Sequence, residues 1–271
     1  MRYGLVLMLV GFLPSLYAQE APGESPAPYV ERQEKEFKFY PGGKVGVSLG
    51  VPGSIRVVGW KQGTVRMEAE KIVFYAPGEK AREFLAEPPV RIRHNDTSVT
   101  IGVSGTPEPP AILEVNLTLY VPGDRTDIVI QMQQGDLSVE GVNGWIEATL
   151  GEGSLDVRSV SGYFSASTLK GDISVEMSDL RWRGQEFAAL TREGAVELRL
   201  PVGYSAALQL ETRDGTIAVD YPPQEVDGEL LPPEIVIKDS TQLLRASVGD
   251  GGAPVKLTTQ SGDVRLERAL P

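Results

Sequence analysis

Apolar and polar residues alternate along most of this chain, and glycine marks where each run stops. In "FKFYPGGKVGVSLG" the residues Phe37, Phe39, Val45, Val47 and Leu49 all fall on one parity, as a half-buried strand requires. "GSIRVVGW" and "GTVRMEAEKIVFY" read as further strands between glycine turns, and "VRIRHNDTSVTIGVSG" and "AILEVNLTLYVPG" resume the period of two. Val115, Leu117, Leu119 and Val121 share one face, and that run ends at the Pro122-Gly123 turn pair. The best helix candidate is "APGEKAREFLAEPP" (76–89), a turn or two bounded by prolines.

From Ile128 onward a repeat takes over. "GDLSVEGVNGWIEATLGE" (135–152) aligns without a gap on "GSLDVRSVSGYFSASTLK" (153–170), 18 residues later. Gly135 falls on Gly153, Leu137 on Leu155, Val139 on Val157, Trp145 on Tyr163, Ile146 on Phe164 and Ala148 on Ala166. Later copies keep the corner as "TLKGDISV", "TREGAVEL", "TRDGTIAV" and "TQSGDVRL". In each, a threonine stands three residues before the glycine and aliphatics follow two and four after it. The corner glycines 135, 153, 171, 194, 215 and 262 are spaced by 18, 18, 23, 21 and 47 residues, and the last gap has room for an extra rung or a loop excursion.

A unit of about 20 residues holds too few inward aliphatics to bury them alone, so such units stack. At the ~4.8 Å strand spacing, each aliphatic column sits on the next and every backbone group gains a partner above and below. The expected fold is therefore all-β: a β-solenoid, a parallel β-helix-like stack of short strands with coils of 18–23 residues. An antiparallel β-sandwich or barrel also produces alternating strands with glycine turns and stays open as the alternative.

The N-terminus changes where this fold is expected to work. "MRYGLVLMLVGFLPSLYAQE" has one positive charge, an apolar run from Leu5 to Leu13, a Pro14 break and Ala18, which together read as a secretory signal over 1–18. Residues 19–36 are proline-rich and charged and read as a flexible tether, and 37–268 form the repeat domain. No later segment is apolar enough to cross a membrane as a helix. With no cysteine, the chain has no disulfide and no thiol for a lipid anchor. A formal net charge of −11 without a basic cluster excludes nucleic acid as a natural partner.

With these residues in view, the sequence resembles the bacterial putative-adhesin family of β-strand-repeat proteins, a domain of unknown function. The resemblance covers roughly 37–268 and rests on "GGKVGVSLGVPGSIRVVGW", on "LTLYVPGDRTDIVIQMQQGDLSVEGVNGWIEATLGEGSLDV" and on "VKLTTQSGDVRLE". It implies an exported, all-β, solenoid-like domain with a suspected adhesive role, and some relatives are linked to envelope-stress responses. The family defines no functional residues, so none carries over.

Candidate chemistry is sparse. His94 is the only histidine and lies in the polar run "RIRHNDTS", where a surface position is expected. No nucleophile elbow, phosphate loop or dinucleotide fingerprint occurs, and "GGKVGVSLG" opens a strand rather than a helix. Asp136, Asp172 and Asp263 each follow a corner glycine. Stacked, they would form an acidic ladder fit for a cation, but Ser154, Ala195 and Thr216 interrupt it, and a turn-forming role is expected instead. No paired carboxylates are evident in the sequence, so neither a catalytic residue, a cofactor nor a metal is assigned.

Trp145 and Tyr163 are the remaining signal. They share a register, and their neighbours Ile146 and Phe164 have the opposite parity, so one pair faces in and the other out. Facing outward they would form an aromatic ledge for sugar rings or a partner protein; facing inward they would cap a corner of the core. Trp182 could extend such a ledge. The expectation is a non-enzymatic, adhesin-like or scaffolding protein of the cell envelope, periplasmic, surface-bound or secreted, that binds an envelope protein or a glycan. The alternatives are a periplasmic sensor or regulatory partner and a carbohydrate-active solenoid enzyme. Edge-to-edge self-association or partner capture is expected at the terminal strand near Val264.

Overall fold

The computed structural model describes residues 27–269 apart from 88, 222–223, 227–228, 232–234 and 239. The expected signal and the tether up to residue 26 lie outside the described residues. In chain order the first half comprises β1 (Tyr29–Lys38), β2 (Lys44–Leu49), β3 (Ile55–Trp60), β4 (Thr64–Phe74), α1 (Gly78–Ala86), β5 (Val90–Asn95), β6 (Ser98–Val103) and β7 (Ile112–Pro122). The repeats follow as β8 (Asp127–Gln134), β9 (Leu137–Glu140), β10 (Asn143–Glu152), β11 (Leu155–Arg158), β12 (Ser161–Lys170), β13 (Ile173–Glu176), β14 (Gly184–Glu193), β15 (Val196–Leu200), β16 (Ala206–Asp214) and β17 (Ile217–Asp220). A small hairpin, β18 (Gln224–Val226) and β19 (Glu229–Leu231), precedes β20 (Ile235–Lys238), β21 (Thr241–Val248), β22 (Pro254–Ser261) and β23 (Val264–Arg268).

Even-numbered strands β8 to β16 lie in one sheet of 11 strands and odd-numbered β9 to β17 in a facing sheet of 10, so the chain crosses from one sheet to the other at each corner. Consecutive coils pair in parallel, with Ile146 on Phe164 and Leu155 on Ile173. This is a two-sheet β-solenoid. Its interior is filled by in-register columns: Phe164 and Phe187 stack at 4.5 Å, and Ile146, Leu155, Val157 and Val175 are buried. Burying each such side chain contributes about 1.5–3 kcal/mol.

The threonine–glycine refrain has a structural cause. Thr168, Thr191, Thr259 and Thr212 form one buried column. The hydroxyls of Thr191, Thr259 and Thr212 donate to the carbonyls of Gly171, Gly194 and Gly262 in the adjacent coil at 2.8–2.9 Å. The corner glycines lie so close that a Cβ on any of Gly135, Gly153, Gly171, Gly194, Gly262 or Gly215 would run into the carbonyl oxygen of the glycine one coil away.

Both ends of the stack depart from sequence order. β2 and β3 are the first coil in the chain, yet they lie between β6–β7 on one side and β8–β9 on the other. β22 and β23 are the last, yet they insert between β14–β15 and β16–β17. The long gap between Gly215 and Gly262 therefore holds an antiparallel excursion, β20 and β21, followed by a returning coil. The strand around Val264 is consequently internal, and the expectation that it forms an exposed edge is corrected: it is paired on both sides.

The expected domain start at 37 also moves. β1 begins at Tyr29 and pairs antiparallel with β4, so 29–36 belong to the sheet rather than to the tether. Three of the charges that made this segment look solvated are matched across the pair. Arg32 bridges Glu70 at 2.8 Å, Glu34 lies 3.9 Å from Arg66, and Glu31 bonds the buried Lys71.

Candidate functional site

In β10 and β12 the alternation turns Ile146 and Phe164 fully inward and Trp145 and Tyr163 outward, with Trp145 42% exposed. Register places the two outward rings on adjacent coils. Their centroids are 3.9 Å apart with 19° between planes. At that separation the rings lie face to face along the coil axis. Their edges, not their shared faces, point to solvent. A ledge of two outward faces is thus replaced by a two-rung ladder with one free face at each end.

The indole Nε1 donates to Glu147 Oε1 at 2.7 Å, which fixes the tilt of Trp145. Beyond Trp145, on the β8 side, the register position is held by Asp127, whose Oδ1 accepts the Trp145 backbone N–H at 3.3 Å. Beyond Tyr163 the β12–β14 pair is bulged: Gly162 pairs with Gly184 and Tyr163 with Glu186. Glu186 accepts from Lys256 Nζ at 2.6 Å, so the register position next to Tyr163 carries an ion pair.

A shallow groove of about 380 Å³ runs beside the ladder, lined by Gly42, Arg125, Asp127, Trp145, Tyr163 and Gln185 over a floor of Gly144, Gly162 and Gly184. The floor has to be glycine, because a Cβ on Gly144, Gly162 or Gly184 would meet the carbonyl of Thr126, Gly144 or Gly162 in the previous coil. Arg125 is exposed and has φ 55°, a left-handed backbone that turns the chain into β8. Arg125, Asp127 and Gln185 were not singled out from the sequence. The repeat offset would have found Asp127, which precedes Trp145 by 18 residues.

The remaining sequence candidates are scattered. Trp182 does not extend the ladder: it is buried and meets Phe187 edge-on at 5.3 Å. His94 is exposed on β5, its ring 4.8 Å from Phe37. Asp136, Asp172 and Asp263 occupy alternate coils, and each carboxylate accepts the backbone N–H of the next coil, from Ser154, Ala195 and Thr216 at 2.8–2.9 Å. Their bonds run to the neighbouring coil rather than to their own turn. Two coil spacings, about 9.6 Å, separate successive members, too far for two of them to share a cation at 2.3–2.6 Å.

One carboxyl pair does meet, on the flat outer face of the ten-stranded sheet. Burial, then the hydrogen bond that the protonated carboxyl donates to its neighbour Glu267, raises the Glu197 pKa, and Arg199 bridges both groups. A pair in hydrogen-bond contact is too close to flank a glycosidic bond, which needs roughly 5 Å or more between carboxyls. A larger cavity, about 570 Å³, lies elsewhere, between α1 and the 107–111 loop, where Tyr75, Phe84 and Pro110 meet Lys80 and Glu83.

No family model and no curated protein matches the chain. Solved structures do. A putative cell adhesion protein from Clostridium sporogenes is 12% identical, with a TM-score of 0.43 over 88% of this chain and 100% of that one. A putative adhesin from Bacteroides fragilis is 10% identical, TM-score 0.34, over 88% and 97%. A putative lipid binding protein from Parabacteroides distasonis is 7% identical, TM-score 0.25, over 88% and 96%. Structural neighbours thus carry the adhesin name that the repeats resemble. Likeness at this level identifies no ligand.

Proposed function

We propose that this is an exported, non-catalytic, adhesin-like protein that binds a glycan of the cell envelope on the outer face of its 11-stranded sheet. The observation that carries this reading is the outward-facing Trp145–Tyr163 ladder beside a glycine-floored groove rimmed by Arg125, Asp127 and Gln185. Apolar ring surface beside hydrogen-bonding groups is what sugar recognition uses, since a sugar ring presents C–H faces and hydroxyl edges. The test is capture of envelope glycans by the purified protein. Trp145→Ala and Tyr163→Ala should lower retention at least tenfold while leaving the melting temperature unchanged. A protein recovered at fixed stoichiometry with no glycan would overturn the reading.

That second outcome corresponds to a partner-binding protein, and one observation favours it. β20, at the edge of the 11-stranded sheet, exposes Val236 and Ile237 to 52% and 66%. The edges at the opposite end, β1 and β5, carry Glu31, Arg32, Arg91 and Arg93, charges that resist strand addition. Under this reading Val236→Lys abolishes partner capture and Trp145→Ala does not.

A further inference from the structure

Resting on the glycan reading, we infer that the ligand is read through one uncharged hexopyranose ring, which stacks on the free face of Trp145 as the next rung of the ladder. The two ends of the ladder are not equivalent. At the Tyr163 end the next position holds Glu186, extended and paired with Lys256 at 2.6 Å. At the Trp145 end it holds Asp127, a shorter side chain drawn down by its bond to the Trp145 backbone. Among the described residues no other ring or guanidinium covers the second face of Trp145. That end opens into the part of the groove lined by Gly42, Arg125 and Asp127.

A six-membered ring placed there meets an indole face below and two hydrogen-bonding groups at its rim. The second carboxylate oxygen of Asp127 accepts from a hydroxyl, and the exposed guanidinium of Arg125 donates to one. Gly42 and Gly144 present no side chain that would occupy the space. The charge balance selects against acidic sugars. Asp127, Glu147 and Glu186 surround the ladder, with Arg125, Lys44 one coil beyond Asp127 and the already paired Lys256 as the nearby cations, on a chain of net charge −11.

Orientation follows from the ring planes. Because the indole face is normal to the coil axis, a sugar stacked on it has its ring, and therefore its glycosidic bonds, lying across the stack. Neighbouring sugars run across the groove or away from the surface instead of following it. The site reads one unit, terminal or branching, and ignores the length of the polymer.

The test titrates the purified protein calorimetrically with methyl glycosides of glucose, galactose and N-acetylglucosamine, with their short and long β-linked oligomers, and with the corresponding uronic acids. The expected result is binding of one neutral glycoside with an affinity that changes less than threefold with chain length. Arg125→Ala and Asp127→Asn should each weaken it at least tenfold, and the uronic acid should bind at least tenfold more weakly. Affinity that climbs with every added unit, or binding lost in Gln185→Ala but kept in Arg125→Ala and Asp127→Asn, would overturn the single-ring site while leaving glycan binding intact. If no neutral or acidic sugar binds and envelope glycans are not retained either, the glycan reading itself falls. Melting curves of the variants, all at solvent-facing positions, separate loss of binding from loss of fold.

Discussion

The Thr191 hydroxyl donates to the Gly171 carbonyl at 2.9 Å from one coil to the next. Thr191 is fully buried and Gly171 half-buried. The bond explains why threonine, rather than the valine its column would otherwise favour, stands three residues before the corner. Thr191→Val keeps the shape but removes the donor and leaves a half-buried carbonyl with one partner fewer. The expected cost is about 1–3 kcal/mol, read from denaturant unfolding. A cost below the error of that measurement would show that the column is set by shape alone.

The corner glycines predict a larger loss. Gly153 has φ 141°, and a Cβ there would collide with the carbonyl of Gly135. Backbone strain and overpacking add, so Gly153→Ala should cost about 3–5 kcal/mol. Gly63, where a Cβ meets nothing within 4 Å and φ is unremarkable, is the control: Gly63→Ala should stay within about 0.5 kcal/mol. Equal melting shifts for the two would contradict the stacked corner.

Acid should weaken the stack through Asp263. Its pKa is lowered from the usual 3.8, first by the backbone N–H of Thr216 and then by the Thr216 hydroxyl. A depressed carboxyl contributes stability that is present above its unfolded value and lost as pH falls through the folded one. Asp263→Ala should therefore melt below the wild-type protein at neutral pH, and the gap should close on acidification below about pH 4. A gap independent of pH would mean the side chain acts through packing.

The returning coil predicts an unusual protection pattern. In a stack that follows chain order, the last strands are an end and exchange amide hydrogens early. β22 and β23 are bonded on both sides. Their amides should exchange as slowly as those of β12, and deleting 254–268 should unfold the protein rather than trim it. Fast exchange across β22 would refute the insertion.

What the sequence reveals here is what repeats in it. Gly135 over Gly153 and Ile146 over Phe164 are visible because a fixed offset brings like residues together, and the buried columns follow from that. Features made by residues far apart in sequence left no such trace. Glu197 and Glu267 meet through the β15–β23 pairing, a contact created by the returning coil and by no period. Residues 29–36 looked like a tether because charges read singly are solvated, and only pairing with β4 shows Glu31, Arg32 and Glu34 answered. The ladder was half legible. Parity put Trp145 and Tyr163 on one face, but whether their rings lie flat or stack on each other depends on a 3.9 Å separation that residue order does not carry.

The threading of β2–β3 and β22–β23 inside their neighbours bears on how such a domain changes size over evolutionary time. A tandem duplication of 135–152 adds a rung between coils that already accept one another, and both terminal locks survive it. New sequence appended at either end meets an antiparallel strand at three of the four sheet edges, β1, β5 and β20, and a parallel edge only at β17. Relatives of different length should therefore differ by whole coils in the middle, while the locking segments at the two ends stay constant in number.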